Sequence, residues 1–414
     1  MHAQGFGGGN ARFATADLLL WQDSVRPRGF DLHSSPRVDA GAPFLPATDA
    51  ELEPLMHARH FVNRMRDPRS LAPATETIDR VGRPRWKHVV LVMALGCMGM
   101  AAAPDEATDL RTGNVLVANQ QAGSASLIDL RTDSMQLIAV GAGPHEAAIS
   151  PSGAIGVVTV YGAQTPGNQL AVIDMRSGAV IRTISLGEYT RPHGAVFVPG
   201  DETRVVVTSE ATQNIVIVNV QEGRVEHAIS TGAAGSHMVG LTADGRRAYT
   251  ANIFAGSVSE IDLASRALVR VIPTGPRSEG IAVAPDGSTI WVGSNTNGTV
   301  TVIDGPSGAI VGTLSGFSLP YRIAISNDGK TAIICDPQGD RIHVADVALR
   351  KVIWTLGPLG SPRGVTIAPD GRTAFVTLAE DPSMGVVDLV ERKMTRKVTV
   401  GASPDGVGYG PIPH

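Results

Sequence analysis

The sequence predicts an all-β fold, a seven-bladed β-propeller with four-stranded antiparallel blades, from three observations. An acidic or amide residue closes an aliphatic run seven times, at Asp129, Asp174, Asn219, Asp262, Asp304, Asp346 and Asp388, at intervals of 45, 45, 43, 42, 42 and 42 residues. A proline or serine opens another run seven times, at Pro144, Pro192, Ser236, Ser278, Pro320, Pro362 and Pro404. Between the two lies a turn of the type Pro285-Asp286-Gly287 or Pro369-Asp370-Gly371, with variants at 151–153, 199–201, 243–245 and 327–329. A fixed period held over seven units is the signature of a repeat architecture.

Within a unit the order is constant. One unit reads GIAVAP (280–285), TIWVGSN (289–295), TVTVID (299–304) and AIVGTL (309–314), four apolar runs divided by Gly, Asn and Asp turns. Short runs rich in Val, Ile and Thr between such turns are antiparallel strands. One four-stranded sheet cannot bury both its faces, whereas seven packed around an axis can. The repeat begins at NVLVAN (114–119), which matches a second strand, and ends at GVGYGP (406–411), which matches a first strand. The last strand is therefore expected to complete blade one and to leave no sheet edge at the seam. The propeller is placed at 105–410, followed by a short tail at 411–414.

The first hundred residues read differently. Residues 1–82 show no sustained periodicity and are taken as a poorly ordered or spurious extension, with translation expected to start near residue 81. Arg83, Arg85, Lys87 and His88 then flank the apolar run VVLVMALGCMGMAAA (89–103), the layout of a secretory signal peptide at 83–103. The run is short for the ~20 residues of a membrane span, so an anchor is the weaker alternative. Cleavage after Ala101 is one reading; a lipoprotein signal at Ala94–Cys97, with lipid on Cys97, is the other. Either places the propeller in the periplasm or outside the cell, membrane-bound only if Cys97 carries the lipid.

Composition narrows the function. Hydrophobic residues make up 43% of the 414, which excludes wholesale disorder. A net charge of −4 gives no reason to expect nucleic acid as a partner. With only Cys97 and Cys335, a disulfide scaffold is excluded, and Cys335 reads as a buried small hydrophobe. Trp291 and Trp354 are expected to pack between sheets. GFGGG (5–9) and GVGYG (406–410) lack the strand-to-helix context of a phosphate loop, and no Gly-x-Ser-x-Gly or His-Glu-x-x-His motif occurs.

The second strands AYTAN (248–252), TIWVGSN (289–295), TAFVTLA (373–379) and RVVVTSE (204–210), each followed by a strand closing on an acid or amide, resemble the YVTN-type β-propeller repeat. The resemblance covers 105–410; the chain has no Trp-Asp dipeptide, unlike WD40 blades. It implies a periplasmic or secreted propeller, from a class that includes ligand-binding proteins, surface-layer proteins and lactonase-like or lyase enzymes. For activity this is a fold-level analogy.

The candidate site follows from blade geometry. First strands line the axis, and the residues that open them crowd one mouth of the channel. The residue after each Pro or Ser of the second ladder is His145, His193, His237, Glu279, Tyr321, Arg363 and Asp405. Residues 105–410 hold five histidines, and three of these fall on ring positions of consecutive blades. Imidazole with a neighbouring carboxylate suits Zn²⁺, Fe²⁺, Mn²⁺ or Cu²⁺, so His145, His193, His237 and Glu279 are the expected ligands of a divalent transition metal. An arc of ligands would leave the far side open for water or substrate. Tyr321, Arg322 and Arg363 are the candidates to bind a small anion, and Glu146 and Asp405 to move a proton. The spacing from Pro144 to Pro192 exceeds the basic period by six residues, partly through Glu188-Tyr189-Thr190-Arg191, so Tyr189 and Arg191 are expected to form a lip.

Three readings stay open at this level. The ring binds a small anionic ligand around a metal; the same site is a metal-dependent hydrolase or lyase; or the propeller is a scaffold for a cell-envelope component. A monomer is expected. A ring of polar side chains without metal, bonding neighbouring backbone at a hydrated mouth, is the plainer alternative.

Overall fold

Alternation and burial explain why each unit closes as a blade. Middle strands such as TVTVID (299–304) are buried at nearly every position because sheets cover both their faces, while the outer strand KVIWTL (351–356) alternates between exposed and half-buried. The computed structural model describes residues 112–413, so the signal segment, Ala101, Cys97 and the 1–82 extension lie outside the described residues.

Those residues form strands β1 (Gly113–Asn119) to β28 (Pro404–Pro411), arranged as seven four-stranded antiparallel sheets. Blade two holds β4 to β7 within 144–185, blade three β8 to β11 within 192–230, and blade four β12 to β15 within 236–273. Blade five holds β16 to β19 within 278–315, blade six β20 to β23 within 323–356, and blade seven β24 to β27 within 362–399. Blade one is β28-β1-β2-β3, with β2 and β3 within 124–139. The last strand pairs antiparallel with the first, Val115 opposite Tyr409, and closes the ring as the repeat phase predicts. No helix of the described residues is long and apolar enough to cross a membrane.

The core lies between blades. Leu116, Ala118 and Leu127 of blade one pack against Val158, Val160 and Ile173 of blade two. At the seam, Val115, Val117 and Ile128 meet Phe375 and Met384 of blade seven. Trp291 is fully buried between blades five and six, and Trp354 packs half-buried between blades six and seven, as the sequence suggests. Cys335 is a buried free thiol whose pKa burial pushes up, an inert position. The Pro-Asp-Gly hairpins work by a local mechanism. Asp286 Oδ1 accepts the Ser288 N–H at 2.9 Å, and Gly287 turns the chain at φ +70, where a side chain would strain.

Candidate functional site

The ring residues reach the axis because the first strands are irregular where they begin. Pairing with the second strand slips between Pro144 and Ala147, Pro192 and Ala195, Ser236 and Met238, Ser278 and Ile281, and Pro362 and Val365. Such bulges re-aim side chains. Threonines then pin the ring to the adjacent blade. Thr159 Oγ1 donates to His193 O at 2.9 Å, Thr208 Oγ1 to His237 O at 2.7 Å and Thr377 Oγ1 to Asp405 O at 2.7 Å. Each also accepts a first-strand N–H of its own blade, from Glu146, Gly194 and Gly364.

The three histidines stand side by side. The His193 ring lies between those of His145 and His237, with centroids 4.5 and 3.7 Å away. His145 Nδ1 donates to Asp405 Oδ2 at 3.0 Å, and Gln120 Nε2 donates to His145 Nε2 at 3.1 Å. His237 Nδ1 meets Glu210 Oε2 at 2.5 Å and its Nε2 meets Glu279 Oε1 at 2.7 Å. Both partners are acceptors, so this ring carries two protons. His193 is 1% exposed, and neither of its ring nitrogens has a hydrogen-bond partner.

One residue deeper, Arg322 crosses from blade six to blade two. Its Nε donates to Glu146 Oε1 at 2.9 Å and its Nη1 to Glu279 Oε1 at 2.7 Å. Nη2 lies 2.9 Å from Glu146 Oε1 without a hydrogen bond to it, and 3.9 Å from Asp405 Oδ1, beyond hydrogen-bond reach. Glycine stands at the same repeat position in four other blades, Gly194, Gly280, Gly364 and Gly406, and Gly406 leaves room for Glu146. A Cβ on Gly406 would lie 2.3 Å from Glu146 Oε2 and 2.6 Å from His145 O. A hollow of about 310 Å³ on the first strands is lined by Ala147, Ile149, Val196, Thr366 and Val407. A larger crevice, about 400 Å³, lies between blades three and four against Arg224, His227 and Arg266, and contains none of the ring residues.

The fold can now be set against known proteins. Residues 196–325 match the family described as YNCE-like beta-propeller, in keeping with seven blades and the repeat resemblance. The match and the seven blades are consistent with a YVTN-type propeller. No curated protein gives a significant match. Among solved structures, the propeller is similar to Kuenenia stuttgartiensis hydrazine synthase at 22% identity and a TM-score of 0.60, over 68% of this chain and 96% of that one. At that identity the likeness concerns the fold alone.

In this propeller the ring brings together His145, His193, His237, Glu279, Tyr321 and Asp405, with Glu146 and Arg322 beneath. Tyr321 is buried, its hydroxyl 3.5 Å from Asp405 Oδ1. Arg363 is half-buried; its guanidinium reaches Ser403 Oγ at 3.2 Å and forms no ion pair among the described residues. The far side is filled rather than open: Arg322 is committed to Glu146 and Glu279, and Glu146 to Arg322. The lip differs from expectation too. Tyr189 packs against the apolar cluster between blades two and three. Arg191 is buried, bonds the carbonyl of Ala163 at 2.9 Å and lies over the Tyr161 ring. Much of the extra length of this unit goes into the long β5–β6 hairpin (Ile155–Gly162 and Pro166–Asp174), which supplies Tyr161.

Four site residues escape the ladder alignment: Gln120, Tyr161, Glu210 and Asn295. Tyr161 Oη donates to Glu210 Oε1 at 2.7 Å, and Asn295 Nδ2 to Glu279 Oε2 at 3.2 Å. All four occupy one repeat position, directly after the second-strand residue that pairs with the Pro or Ser opening the first strand. The Glu210 of RVVVTSE and the Asn295 of TIWVGSN are its visible signal.

Electrostatics tie the cluster together. Burial opposes charge on His237, but Glu279 and Glu210 outweigh it and push its pKa up to about 9. Burial alone would raise Glu279; the charges and hydrogen bonds of His237 and Arg322 hold it at about 2. Burial pushes Glu146 up to about 7 despite Arg322, with Asp405 adding to the rise. Burial and the charge of His237 keep His193 neutral. Four buried carboxylates, Glu146, Glu210, Glu279 and Asp405, thus face Arg322 and His237. As the side chains stand, no three His, Cys, Asp or Glu groups among the described residues converge to hold an ion. His193, a neutral imidazole with both nitrogens free beside an excess of carboxylate, nonetheless keeps the donor capacity an ion needs, whereas His237 would have to lose a proton to join it.

Proposed function

We propose that this propeller binds a divalent transition metal at the axial end of its channel through His193, with His145, His237 and Glu279, and takes a small anionic ligand beside Arg363. The carrying observation is His193. A buried polar atom left unsatisfied costs about 1–3 kcal/mol, and this ring has two. A metal or its bound ligand relieves that cost, and a dication also offsets the carboxylate excess.

Each residue then has a defined task. His193 offers a lone pair held neutral by its surroundings. Glu279 already accepts from His237 and Arg322 and brings negative charge to the same point. Arg363 has no carboxylate partner and suits an anion through a two-point contact. Arg322 and Glu146 form the floor. The ion, when bound, supplies Lewis acidity and a coordination position for an anionic oxygen. In this reading the propeller works outside the cytoplasm, exported by the 83–103 segment.

The test is elemental analysis of protein purified without a histidine tag, beside a variant with alanine at His145, His193 and His237. Wild type should carry near-stoichiometric metal and the variant little. Melting curves with added Zn²⁺, Mn²⁺, Fe²⁺ or Cu²⁺ should rise for wild type only, by mass action. Equal, low metal in both proteins with no thermal shift would sink the reading.

A further inference from the structure

On its outer side each blade meets the next through one repeated pair of residues. The first member stands on the outer strand, opposite the residue two before the closing acid or amide of its blade. The second is the fourth residue after that acid in the following blade, where the backbone turns at positive φ in all seven blades. Six of the pairs latch. Gln136 Nε2 reaches Gly178 O at 3.5 Å, and Arg182 lies against Gly223, its Nη1 2.1 Å from where a Cβ would stand. Arg270 covers Gly308 and donates to the carbonyls of Gly305 and Ser307 at 2.8 and 2.5 Å. The roles then reverse: Arg350 covers Gly312 and donates to Val311 O at 2.6 Å, and Arg392 stands 5.9 Å over the Trp354 ring. Arg396 and Asp133 form an ion pair between blades seven and one.

The seventh pair is His227 of blade three and Arg266 of blade four. Both side chains present N–H donors, and neither has a hydrogen bond or ion pair among the described residues. Here the blades stay parted: the crevice of about 400 Å³ has both residues in its lining. Arg266 holds its turn at φ +58, where Gly178, Gly223 and Gly308 serve the same position, so its side chain is kept at some cost in backbone strain. Arg204 and Arg224 bring two more guanidiniums to the crevice. Each commits one edge to an exposed neighbour, Asp201 or Glu222, in pairs that contribute little to stability. The carboxylate of the lining, Glu226, is engaged by Asn219 Nδ2 at 3.0 Å.

We propose that this crevice is a binding site for a small phosphate-type dianion, free or esterified, which bridges His227 and Arg266 and closes the seventh latch. The site is separate from the axial cluster and does not rest on the metal reading. A phosphate group offers enough oxygens to take a two-point contact from one guanidinium and still accept from an imidazole N–H, which either neutral tautomer supplies. Ile217, Leu263 and Ala264 form an apolar wall beside these donors, suited to the carbon part of an ester.

Isothermal titration calorimetry at low salt, with inorganic phosphate and with glycerol 3-phosphate, tests this. Wild type should bind one equivalent saturably. Arg266→Gly keeps the turn, since glycine holds it in three other blades, and should weaken binding about tenfold, the worth of one charge-assisted hydrogen bond. His227→Arg combined with Arg266→Gly recreates the arginine-over-glycine latch seen at Arg182 and Arg270, and without anion it should melt higher than Arg266→Gly alone. Tighter binding of the ester marks an organic phosphate as the ligand, tighter binding of the free anion inorganic phosphate, and both support the site. Equal affinities of wild type and Arg266→Gly overturn the proposal. So does the absence of saturable binding by wild type, which needs no variant to fold. A double variant that melts no higher than Arg266→Gly overturns the latch from which the site is argued.

Discussion

Arg322 and Glu146 stand 176 residues apart in sequence and meet across the axis, blade six to blade two, with Nε to Oε1 at 2.9 Å. The guanidinium also serves Glu279, so one cation compensates carboxylates from two blades besides its own. Removing it strands them in the interior. Arg322→Met should lower the unfolding free energy by about 3–5 kcal/mol, measured by urea denaturation. Glu146→Gln, which leaves Glu279 in place, should cost less. Equal stability of Arg322→Met and wild type would show that the carboxylates find other partners.

His193 predicts an opposite balance. Replacing it with Phe removes two unsatisfied atoms while filling the same space between His145 and His237. The metal-free variant should match or exceed wild type in stability, by up to about 1–3 kcal/mol. It should also lose any metal-induced rise in melting temperature. A large loss of metal-free stability would mean that His193 has bonding partners other than a ligand.

The pH dependence of the metal-free protein follows from His237. Its folded pKa of about 9 lies above the ordinary 6.5. Folding is therefore assisted in full below pH 6.5, and that assistance is lost as pH rises through 9. Glu279 behaves in mirror image: held at about 2 against 4.5, it supports folding above pH 4.5 and fails as pH falls through 2. Urea midpoints should decline between pH 7 and 9.5, and His237→Gln should flatten that limb. The window starts at pH 7 because Glu146, raised to about 7, adds its own decline below it.

Gly406 is a steric prediction. Its alanine variant would press a methyl group against His145 O and Glu146 Oε2, and backbone cannot swing aside as a side chain can. A loss of about 1–3 kcal/mol is expected. Glu146→Ala combined with Gly406→Ala should recover only the part due to the carboxylate. Thermal denaturation of both variants checks this.

The phase of the repeat, read from turn residues and strand ends, was enough to place His145, His193 and His237 side by side. Phase says which residues share a position; it does not say what each touches. The bond from Arg322 to Glu146 depends on ring curvature and on the absence of a side chain at Gly406, so a one-dimensional alignment leaves both ends looking free. Glu210 and Gln120 were missed because the alignment followed the residue that opens the first strand, not the one that ends the second. Tyr189 illustrates a third limit: an insertion near the ring marks a local change, yet its aromatic side chain goes where apolar contact is available.

The seam in blade one has a temporal consequence. The carboxylate that steadies His145 belongs to the last of the propeller's described strands to be synthesised, so a chain that has emerged only as far as β27 has all three imidazoles but not Asp405. Completion of the circle and completion of the His145–Asp405 contact are one event.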